Sequence, residues 1–298
     1  MFGLTRLRMR SRRGGVRLAI CLCVMVVVWL LALVGAGASW GDSGYNPALD
    51  PNSMYNTTLY SGAQAWWSAG YAGNGVDVAV IDTGVSRVAG LNAPGKVIYG
   101  PDLSLESQAP NLTNLDTSGH GTFMAGLIAG HDATLTAPYA AAPASAYRGI
   151  APDARIVSLK VGTTDGGVDV TQVIAAIDWV IQHRSDNGLN IRVINLSYGT
   201  NSTQNSDVDP LSYAVEQAWA KGIVVVAAAG NSGYQVGGGA PGIADPAYNP
   251  FVIAAGGSES MGTAALADDT VGAYSARDRK STRLNSSHSL TSRMPSSA

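Results

Sequence analysis

The sequence predicts an α/β fold, a doubly wound and mostly parallel sheet with helices on both faces. Two observations support this prediction. Short apolar runs of strand length recur along the chain, and segments with helical periodicity separate them. Strands that alternate with helices form βαβ units, which bury a parallel sheet between two helical layers. The predicted strands are residues 76–81, 155–161, 191–196, 223–229 and 251–255.

Helices are predicted between these strands, where apolar residues recur at every third or fourth position. One helix is expected to begin near Val170, with Asp169 or Thr171 as its cap. Another is expected to begin at Pro210, because proline is favoured at the first helical position. Gly222 follows the last periodic residue of that segment, so we expect the helix to end there.

Three further segments lie outside the strand–helix alternation. Residues 41–59 are polar and rich in turn formers, which predicts an extended segment. A short helix packed on the body is predicted over residues 63–72, which contain Trp66 and Trp67. The Ala/Pro-rich stretch 133–147 is predicted to be a surface loop.

The first 38 residues have the organisation of a signal peptide or signal anchor. A basic stretch precedes the apolar run 18–34, and small residues follow at positions 36–38, where a signal peptidase would cut. Cleavage there predicts a secreted protein. The apolar run is close to membrane-spanning length, so the alternative is an uncleaved anchor, with the body facing outside the cytoplasm and no other membrane contact. Both cysteines, Cys21 and Cys23, lie within this run.

Composition divides the rest of the chain into an N-terminal extension (39–74), a main domain (75–276) and a basic C-terminal segment (277–298). From residue 39 to residue 276 there are 8 Lys and Arg against 20 Asp and Glu, a net charge of −12. An acidic body without a basic stripe argues against a nucleic-acid partner. Solubility alone explains the charge, and a specific use of the negative field is the alternative.

Asp82 and His120 are the first candidate catalytic residues. Asp82 ends an apolar strand, and His120 lies between Gly119 and Gly121 at the head of a predicted helix. A buried carboxylate on Nδ1–H holds an imidazole in the tautomer that a general base needs. Asp followed by His matches one of the chain orders found for the Ser-His-Asp triad. Taken singly, a turn aspartate and a helix-capping histidine explain these residues equally well.

Asn231 and the segment 197–199 follow two further predicted strands. An amide side chain held at a strand end can donate to the oxyanion of a tetrahedral intermediate, although a turn explains Asn231 equally well. Ser197, Tyr198 and Gly199 could leave an open backbone edge to which an extended peptide adds. Because the carboxyl ends of parallel strands share one edge of a sheet, we expect these residues to lie near Asp82.

Together these motifs resemble the subtilisin-like serine proteases, and the resemblance covers residues 75–275 with five motifs in order. They are Val80-Ile81-Asp82-Thr83-Gly84, Gly119-His120-Gly121-Thr122, Gly149-Ile150-Ala151-Pro152, Asn195-Leu196-Ser197-Tyr198-Gly199 and Ala228-Ala229-Gly230-Asn231. The resemblance implies a subtilisin-like fold and serine endopeptidase activity on polypeptide substrates. It further implies that Asp82 orients, His120 is the base and Asn231 stabilises the oxyanion. Ser197, Tyr198, Gly199, Ala229 and Gly230 would bind substrate.

Two features of the chain depart from the common family pattern. Phe123 stands where many members have a second histidine, outside the triad. Residues 39–62 are too short for a folding propeptide, which is suggestive of the mycosin-like branch. The resemblance implies no cofactor other than calcium, whose ligands stay unassigned, and no metal ligand is predicted.

The family's nucleophile motif, Gly-Thr-Ser-x-Ala, is not found in the printed residues, where no glycine follows Gly272. We therefore expect the printed chain to end before the catalytic serine and to lack the C-terminal part of the fold. The segment Asp278–His288 can be encoded by a common sequencing-library adapter, so residues 277–298 are predicted to be an artefact; a disordered basic tail is the alternative. The competing functional hypothesis is a non-catalytic pseudoprotease, which would act as a peptide-binding or envelope scaffold protein.

Overall fold

Six parallel strands form the central sheet in a computed structural model, which describes residues 44–277 except 203, 234–241, 262 and 264. Their order across the sheet is β2-β3-β1-β4-β5-β6. Strand β1 is central, flanked by β3 and β4, and all five neighbouring pairs are parallel. The strands are β1 (Asp77–Asp82), β2 (Val97–Asp102), β3 (Arg155–Lys160), β4 (Ile191–Leu196), β5 (Val224–Ala228) and β6 (Ile253–Ala255).

The predicted strands are confirmed, with bounds that differ by at most two residues, whereas β2 was not predicted. Gly100 and Pro101 interrupt the apolar run of β2, and of its six residues only Val97 is buried. Strand β2 lies at the edge of the sheet, which explains the weak pattern. A short antiparallel pair, β7 (Ser258–Glu259) and β8 (Thr270–Val271), lies outside this sheet.

Five α-helices lie in the described residues: α1 (Met54–Tyr60), α2 (Ala63–Ser68), α3 (His120–Ala129), α4 (Val170–His183) and α5 (Pro210–Ala220). The side chain of Asp169 caps α4 in a capping box with Gln172, and Asp209 caps α5, which begins at Pro210. The predicted starts of both helices are therefore confirmed.

Alternate side chains of β1 enter two separate cores, as a sheet covered on both faces requires. Ala79 and Ile81 join the larger core, in which residues of α4 and α5 are also buried. Val78 and Val80 join the other core, to which α3 contributes Ala125. The sequence-based prediction of a doubly wound α/β sheet is confirmed.

The prediction of an extended segment over residues 41–59 is wrong for its described part. A 3₁₀ turn (Pro47–Leu49) and α1 form there instead. The buried Asn56 side chain donates to the carbonyl oxygens of Pro47, Ala48 and Asp50 at 3.2, 3.2 and 2.8 Å. Because one amide closes the turn against the helix, polar composition does not leave the chain extended here.

The predicted helix over 63–72 ends at Ser68, and only one of its two tryptophans packs on the body. Trp67 is buried and its Nε1 donates to the Ile150 carbonyl at 2.9 Å, whereas Trp66 is 62% exposed. The surface-loop prediction for 133–147 is wrong at Tyr139, which is buried with its ring centroid 6.1 Å from that of Trp67. Two segments outside the main strand–helix pattern thus cover each other.

The predicted signal segment and residues 278–298 lie outside the described residues. A search of the described helices finds none with both the length and the hydropathy needed to cross a bilayer.

Candidate active site

Asp82 is the last residue of β1, and its carboxylate is almost entirely buried. Its side chain is 4% exposed, and Oδ1 accepts a hydrogen bond from the Thr83 amide at 2.8 Å. Oδ2 is buried and has no hydrogen-bond partner among the described residues. A carboxylate with so little solvation interacts strongly with any cation that forms beside it.

His120 is the first residue of α3, and its Nδ1 lies 2.7 Å from Asp82 Oδ1. When Nδ1 carries the proton and donates it to Asp82, Nε2 is left with a free lone pair. The ring remains 48% exposed, so a substrate can reach it. Asp82 and His120 form a dyad with the geometry of a general base and its orienting carboxylate.

Gly121 allows α3 to approach the end of β1 closely enough to form the dyad. A Cβ atom at this position would lie 2.1 Å from the Gly84 carbonyl oxygen and 3.1 Å from Asp82 Cβ. On the other side of His120, Gly119 has a φ of 92°, which favours glycine. The sequence-based interpretation of flanking glycines that permit close backbone approach is confirmed at Gly121.

The remaining candidate residues follow the two strands next to β1 on one side. Ser197 follows β4 and Asn231 lies three residues after β5. Strands β1, β4 and β5 are neighbours, so these residues and Asp82 lie along the same carboxyl edge. The Asn231 side chain is exposed. A polar side chain at this edge is open to a bound substrate.

Close backbone packing shapes the segment after β4. A Cβ on Gly199 would lie 2.9 Å from Ala244 Cβ, and one on Gly230, whose φ is 101°, would lie 3.1 Å from the same atom. Ala229 is buried and its carbonyl accepts from the Ala244 amide at 2.8 Å. No backbone hydrogen bond joins Tyr198 or Gly199 to another residue in the described part of the chain. Such an edge can accept an extended peptide as an added strand.

Sequence reasoning missed three charged residues next to the dyad. Lys160, the last residue of β3, is fully buried and pairs in register with Asp82. Its Nζ lies 2.8 Å from Glu106 Oε2, and this hydrogen bond is the main cause that lowers the pKa of Glu106. Asp116, four residues before His120, is the third residue. A lone lysine in an apolar strand and an aspartate just before a helix were the available signals.

A buried acid lies behind the segment after β4. Asp245 is 1% exposed; burial is the main cause that raises its pKa to about 6, and the charge of Asp209 adds to this rise. Burial also raises the pKa of the Tyr198 phenol, with further contributions from the charges of Asp169 and Asp245. Negative charge therefore accumulates on this side of the candidate cleft.

Within the described ranges, no three His, Cys, Asp or Glu side chains come together in a group that could hold a metal ion. The calcium ligands that the resemblance leaves open therefore stay unassigned.

The parallel sheet, with the His–Asp dyad at its carboxyl edge, has the arrangement of a subtilisin-like α/β fold. Residues 73–295 match the subtilase family, so the chain belongs to that family. The matched range ends at residue 295 and so includes most of the segment 277–298, which the sequence analysis predicts to be an artefact.

Curated relatives agree with this assignment. The chain is 35% identical over 208 residues to Serine protease AprX from Bacillus subtilis (strain 168), covering 69% of this chain and 43% of that protein. It is 37% identical over 192 residues to Subtilisin DY from Bacillus licheniformis, covering 64% and 59% respectively. The chain thus spans about half the length of these relatives.

Two solved structures resemble the chain. Sphericase superposes with a TM-score of 0.53 at 29% identity over 68% of this chain and 59% of that one. The crystal structure of a cold adapted subtilisin-like serine proteinase gives a TM-score of 0.50 at 28% identity, covering 69% and 60% respectively. Both support the subtilisin-like fold.

Proposed function

We propose that this protein is an exported serine endopeptidase that cleaves polypeptides with an Asp-His-Ser triad. The 2.7 Å contact between His120 Nδ1 and the buried carboxylate of Asp82 is the observation that carries the proposal. Asp82 orients the imidazole and stabilises its protonated form, and His120 is the general base. Asn231 donates to the oxyanion, and residues 197–199 with Ala229 and Gly230 bind the substrate backbone.

The reaction proceeds through two displacements at the scissile carbonyl. His120 Nε2 takes the hydroxyl proton of the nucleophile as its oxygen attacks the carbonyl carbon, and negative charge moves onto the carbonyl oxygen. The C–N bond breaks as His120 returns the proton to the leaving amine. Water then attacks the acyl-enzyme with the same base, which releases the second product and restores the hydroxyl.

We propose that residues 1–298 alone do not turn over peptide, because they contain no Gly-Thr-Ser-x-Ala motif to supply the nucleophile. The gene should therefore be sequenced from genomic DNA across codon 277, and the product with its natural C-terminus assayed with a quenched fluorescent peptide. We expect the motif downstream, turnover by that product and none above a buffer blank by residues 1–298.

Matched histidine variants test the role of the dyad in the same assay. His120→Ala should lower kcat about 10⁴-fold or more, because it removes the base. His183→Ala is the control, since His183 also contacts a carboxylate but lies at the end of α4. It should change kcat less than about twofold. A folded, motif-bearing product without turnover, or full activity in His120→Ala, would contradict the proposal.

A peptide-binding pseudoprotease is the second candidate, favoured by the same absence of the motif from the printed residues. If genomic sequencing returns the printed ending, this candidate replaces the first. Isothermal titration of residues 1–298 with extended peptides would then test binding at the open edge of Tyr198 and Gly199.

Export is proposed from the N-terminal segment, in which a basic stretch precedes the apolar run 18–34. N-terminal sequencing of the protein from culture medium and from membranes distinguishes the two forms. A secreted product that begins just after Ala38 supports cleavage. Membrane-bound protein that retains residues 18–34 supports the anchor, and cytoplasmic protein contradicts export.

A further inference from the structure

The carboxylate of Asp116 accepts hydrogen bonds from both chain segments that carry the dyad, the end of β1 and the start of α3. Oδ1 accepts from Thr83 Oγ1 at 2.8 Å, from the Gly119 amide at 2.8 Å and from the Ser118 amide at 3.2 Å. Oδ2 accepts from the amide and the hydroxyl of Thr122 at 2.8 and 2.6 Å. One half-buried side chain therefore satisfies five donors.

These donors lie on either side of the two dyad residues in the chain. Thr83 directly follows Asp82, while Gly119 and Thr122 flank His120. Thr83 Oγ1 also accepts from the amide of Gly121 at 3.0 Å. The Asp116–Thr83 contact thus links the end of β1 to the first turn of α3, across the interface that the Asp82–His120 hydrogen bond spans.

The Asp116 carboxyl group is suited to accept these hydrogen bonds in its ionised form. Burial has the largest single effect and raises the pKa of its carboxyl group, but hydrogen bonds from Thr122, Gly119 and Thr83 together outweigh burial and lower that pKa. Gly119 is the N-cap of α3 and Thr122 lies in its first turn, and the free N–H groups at this helix start favour a negative charge. Hydrogen bonds to an ionised acceptor are shorter and stronger than neutral ones.

Lys160 holds the same two segments from within the sheet. Its Nζ donates to the carbonyl of Thr83 at 3.0 Å and to the carbonyl of Leu115 at 2.8 Å. Leu115 directly precedes Asp116, so the loop that carries the carboxylate is itself fixed.

We propose that Asp116 is a positioning residue of the dyad, which holds the ring of His120 against Asp82 by bonding the end of β1 to the first turn of α3. It does not touch the imidazole or a reacting atom. Its consequence for catalysis rests on the proposed function, but its effect on the Asp82–His120 hydrogen bond does not.

The test is solution NMR on the full 298-residue chain with ¹⁵N-labelled histidine. The spectra report the tautomer of each ring and the solvent exchange of the Nδ1 proton, and His120→Gln assigns the His120 signals. Asp116→Ala is compared with Asp169→Ala, a matched control. Asp169 caps α4 and accepts from the amide and hydroxyl of Thr171 at 2.8 and 2.6 Å, the same distances that join Asp116 to Thr122.

We expect Asp116→Ala to speed exchange of the His120 Nδ1 proton about tenfold or more, the scale of local opening when a helix cap is lost, and to mix the two tautomers. Asp169→Ala should leave the His120 signals unchanged. The proposal is overturned if Asp116→Ala is folded and the His120 ring is unaffected.

A milder pair of variants keeps the proposal testable if Asp116→Ala does not fold. Thr83→Val removes the hydroxyl that bonds Asp116 and Gly121 with little change of shape, and Thr83→Ser retains it. We expect the same exchange effect in Thr83→Val and recovery in Thr83→Ser. Unchanged His120 signals in Thr83→Val would overturn the proposal. A responsive His120 ring together with absent peptide turnover by the product that has its natural C-terminus and the nucleophile motif would contradict only the protease function.

Discussion

The carboxyl edge of the sheet is supported on two sides by carboxylates in contrasting environments. On the β1 side, Asp116 accepts five hydrogen bonds. Burial raises its pKa, but the hydrogen bonds from Thr122, Gly119 and Thr83 together lower it. On the β4–β5 side, Asp245 is fully buried and accepts from Ser212 Oγ at 3.1 Å and from Thr200 Oγ1 at 3.4 Å. Its pKa rises to about 6 because burial and the charge of Asp209 oppose ionisation.

This difference shows that the two sides are held by different interactions. The β1 side positions the dyad with fixed charges, those of Asp116 and of the Lys160–Glu106 pair. The β4–β5 side is held by backbone pairing, in which Thr200 and Asp245 exchange hydrogen bonds of 2.8 and 3.1 Å. We therefore expect packing and charge variants to act most strongly on the β1 side, and pH to act on the β4–β5 side.

The largest expected effect comes from a methyl group added at the dyad. In Gly121→Ala the new Cβ meets the Gly84 carbonyl at 2.1 Å, and Gly84 cannot retreat freely because it lies against the backbone of Asp116. We expect a loss of about 3 kcal/mol or more in the free energy of unfolding, measured in urea. Gly199→Ala is the matched change on the other side, where Cβ meets Ala244 Cβ at 2.9 Å. Gly199→Ala should lower the free energy of unfolding by about 1–2 kcal/mol. Equal losses in the two variants would show that the β1 side is not packed more tightly than the β4–β5 side.

The next effect concerns the buried ammonium of Lys160. Lys160→Met removes the partner of Glu106 and the donor to two carbonyl oxygens, so we expect about 3 kcal/mol of destabilisation in urea unfolding at pH 7. Lys96→Met is the control, because Lys96 is also buried and donates to the carbonyls of Pro152 and Ala154. Burial lowers the pKa of Lys96 to about 8, despite an opposing effect of Asp153.

Below pH 8 the Lys96 ammonium is therefore charged in the folded state, and its burial destabilises that state. Lys96→Met should lower the free energy of unfolding by at least about 2 kcal/mol less than Lys160→Met does. If both variants lost the same free energy of unfolding, the ion pair with Glu106 would add no stability beyond that of a buried ammonium that donates to two carbonyls.

A smaller, pH-dependent effect is expected on the β4–β5 side. Because the folded pKa of Asp245 lies above the ordinary value of 3.8, the folded state binds more protons between pH 3.8 and about 6. Its contribution to stability therefore falls as pH rises through this range. Asp245→Asn should be about 2 kcal/mol more stable than the wild type at pH 8, and the difference should vanish toward pH 4.

Thermal unfolding at a series of pH values measures this difference. Asp207→Asn removes an exposed carboxylate and serves as the control for the loss of one negative charge. A constant difference between Asp245→Asn and the wild type from pH 4 to pH 8 would contradict the ionisation of Asp245.

The sequence allowed five of the six sheet strands, the doubly wound sheet and the residues of the dyad to be predicted, because each depends on local pattern and on order along the chain. The apolar run before Asp82 and the glycines around His120 are such signals. The supports of the site could not be predicted in this way. Lys160 and Glu106 are 54 residues apart, and their pairing depends on how β3 packs against the loop after β2.

The same limit applies to Asp245 and to the N-terminal segment. Nothing near Asp245 in the sequence indicates that it is buried beside Asp209, since its position depends on the antiparallel bridge between Asp245 and the distant Thr200. Residues 47–56 have polar composition typical of a loop, yet Asn56 organises them through three backbone carbonyls. Tertiary contacts outweigh local composition at both places.

The smallest expected effect comes from a His–Asp pair outside the site, which sharpens the contrast with the dyad. His183 Nδ1 lies 2.9 Å from Asp186 Oδ2, close to the dyad distance, but its carboxylate side chain is 51% exposed, against 4% for Asp82. Water screens such a pair, so Asp186→Asn should change the free energy of unfolding by less than about 0.5 kcal/mol and leave peptide turnover unchanged. Asp82→Asn, the matched change in the dyad, should lower kcat about 10⁴-fold in a product that turns over peptide, because the ring loses its tautomer. If Asp186→Asn lowered kcat as much as Asp82→Asn, the short His–Asp distance alone would account for the properties of the dyad, and burial of Asp82 at the end of β1 would not be needed.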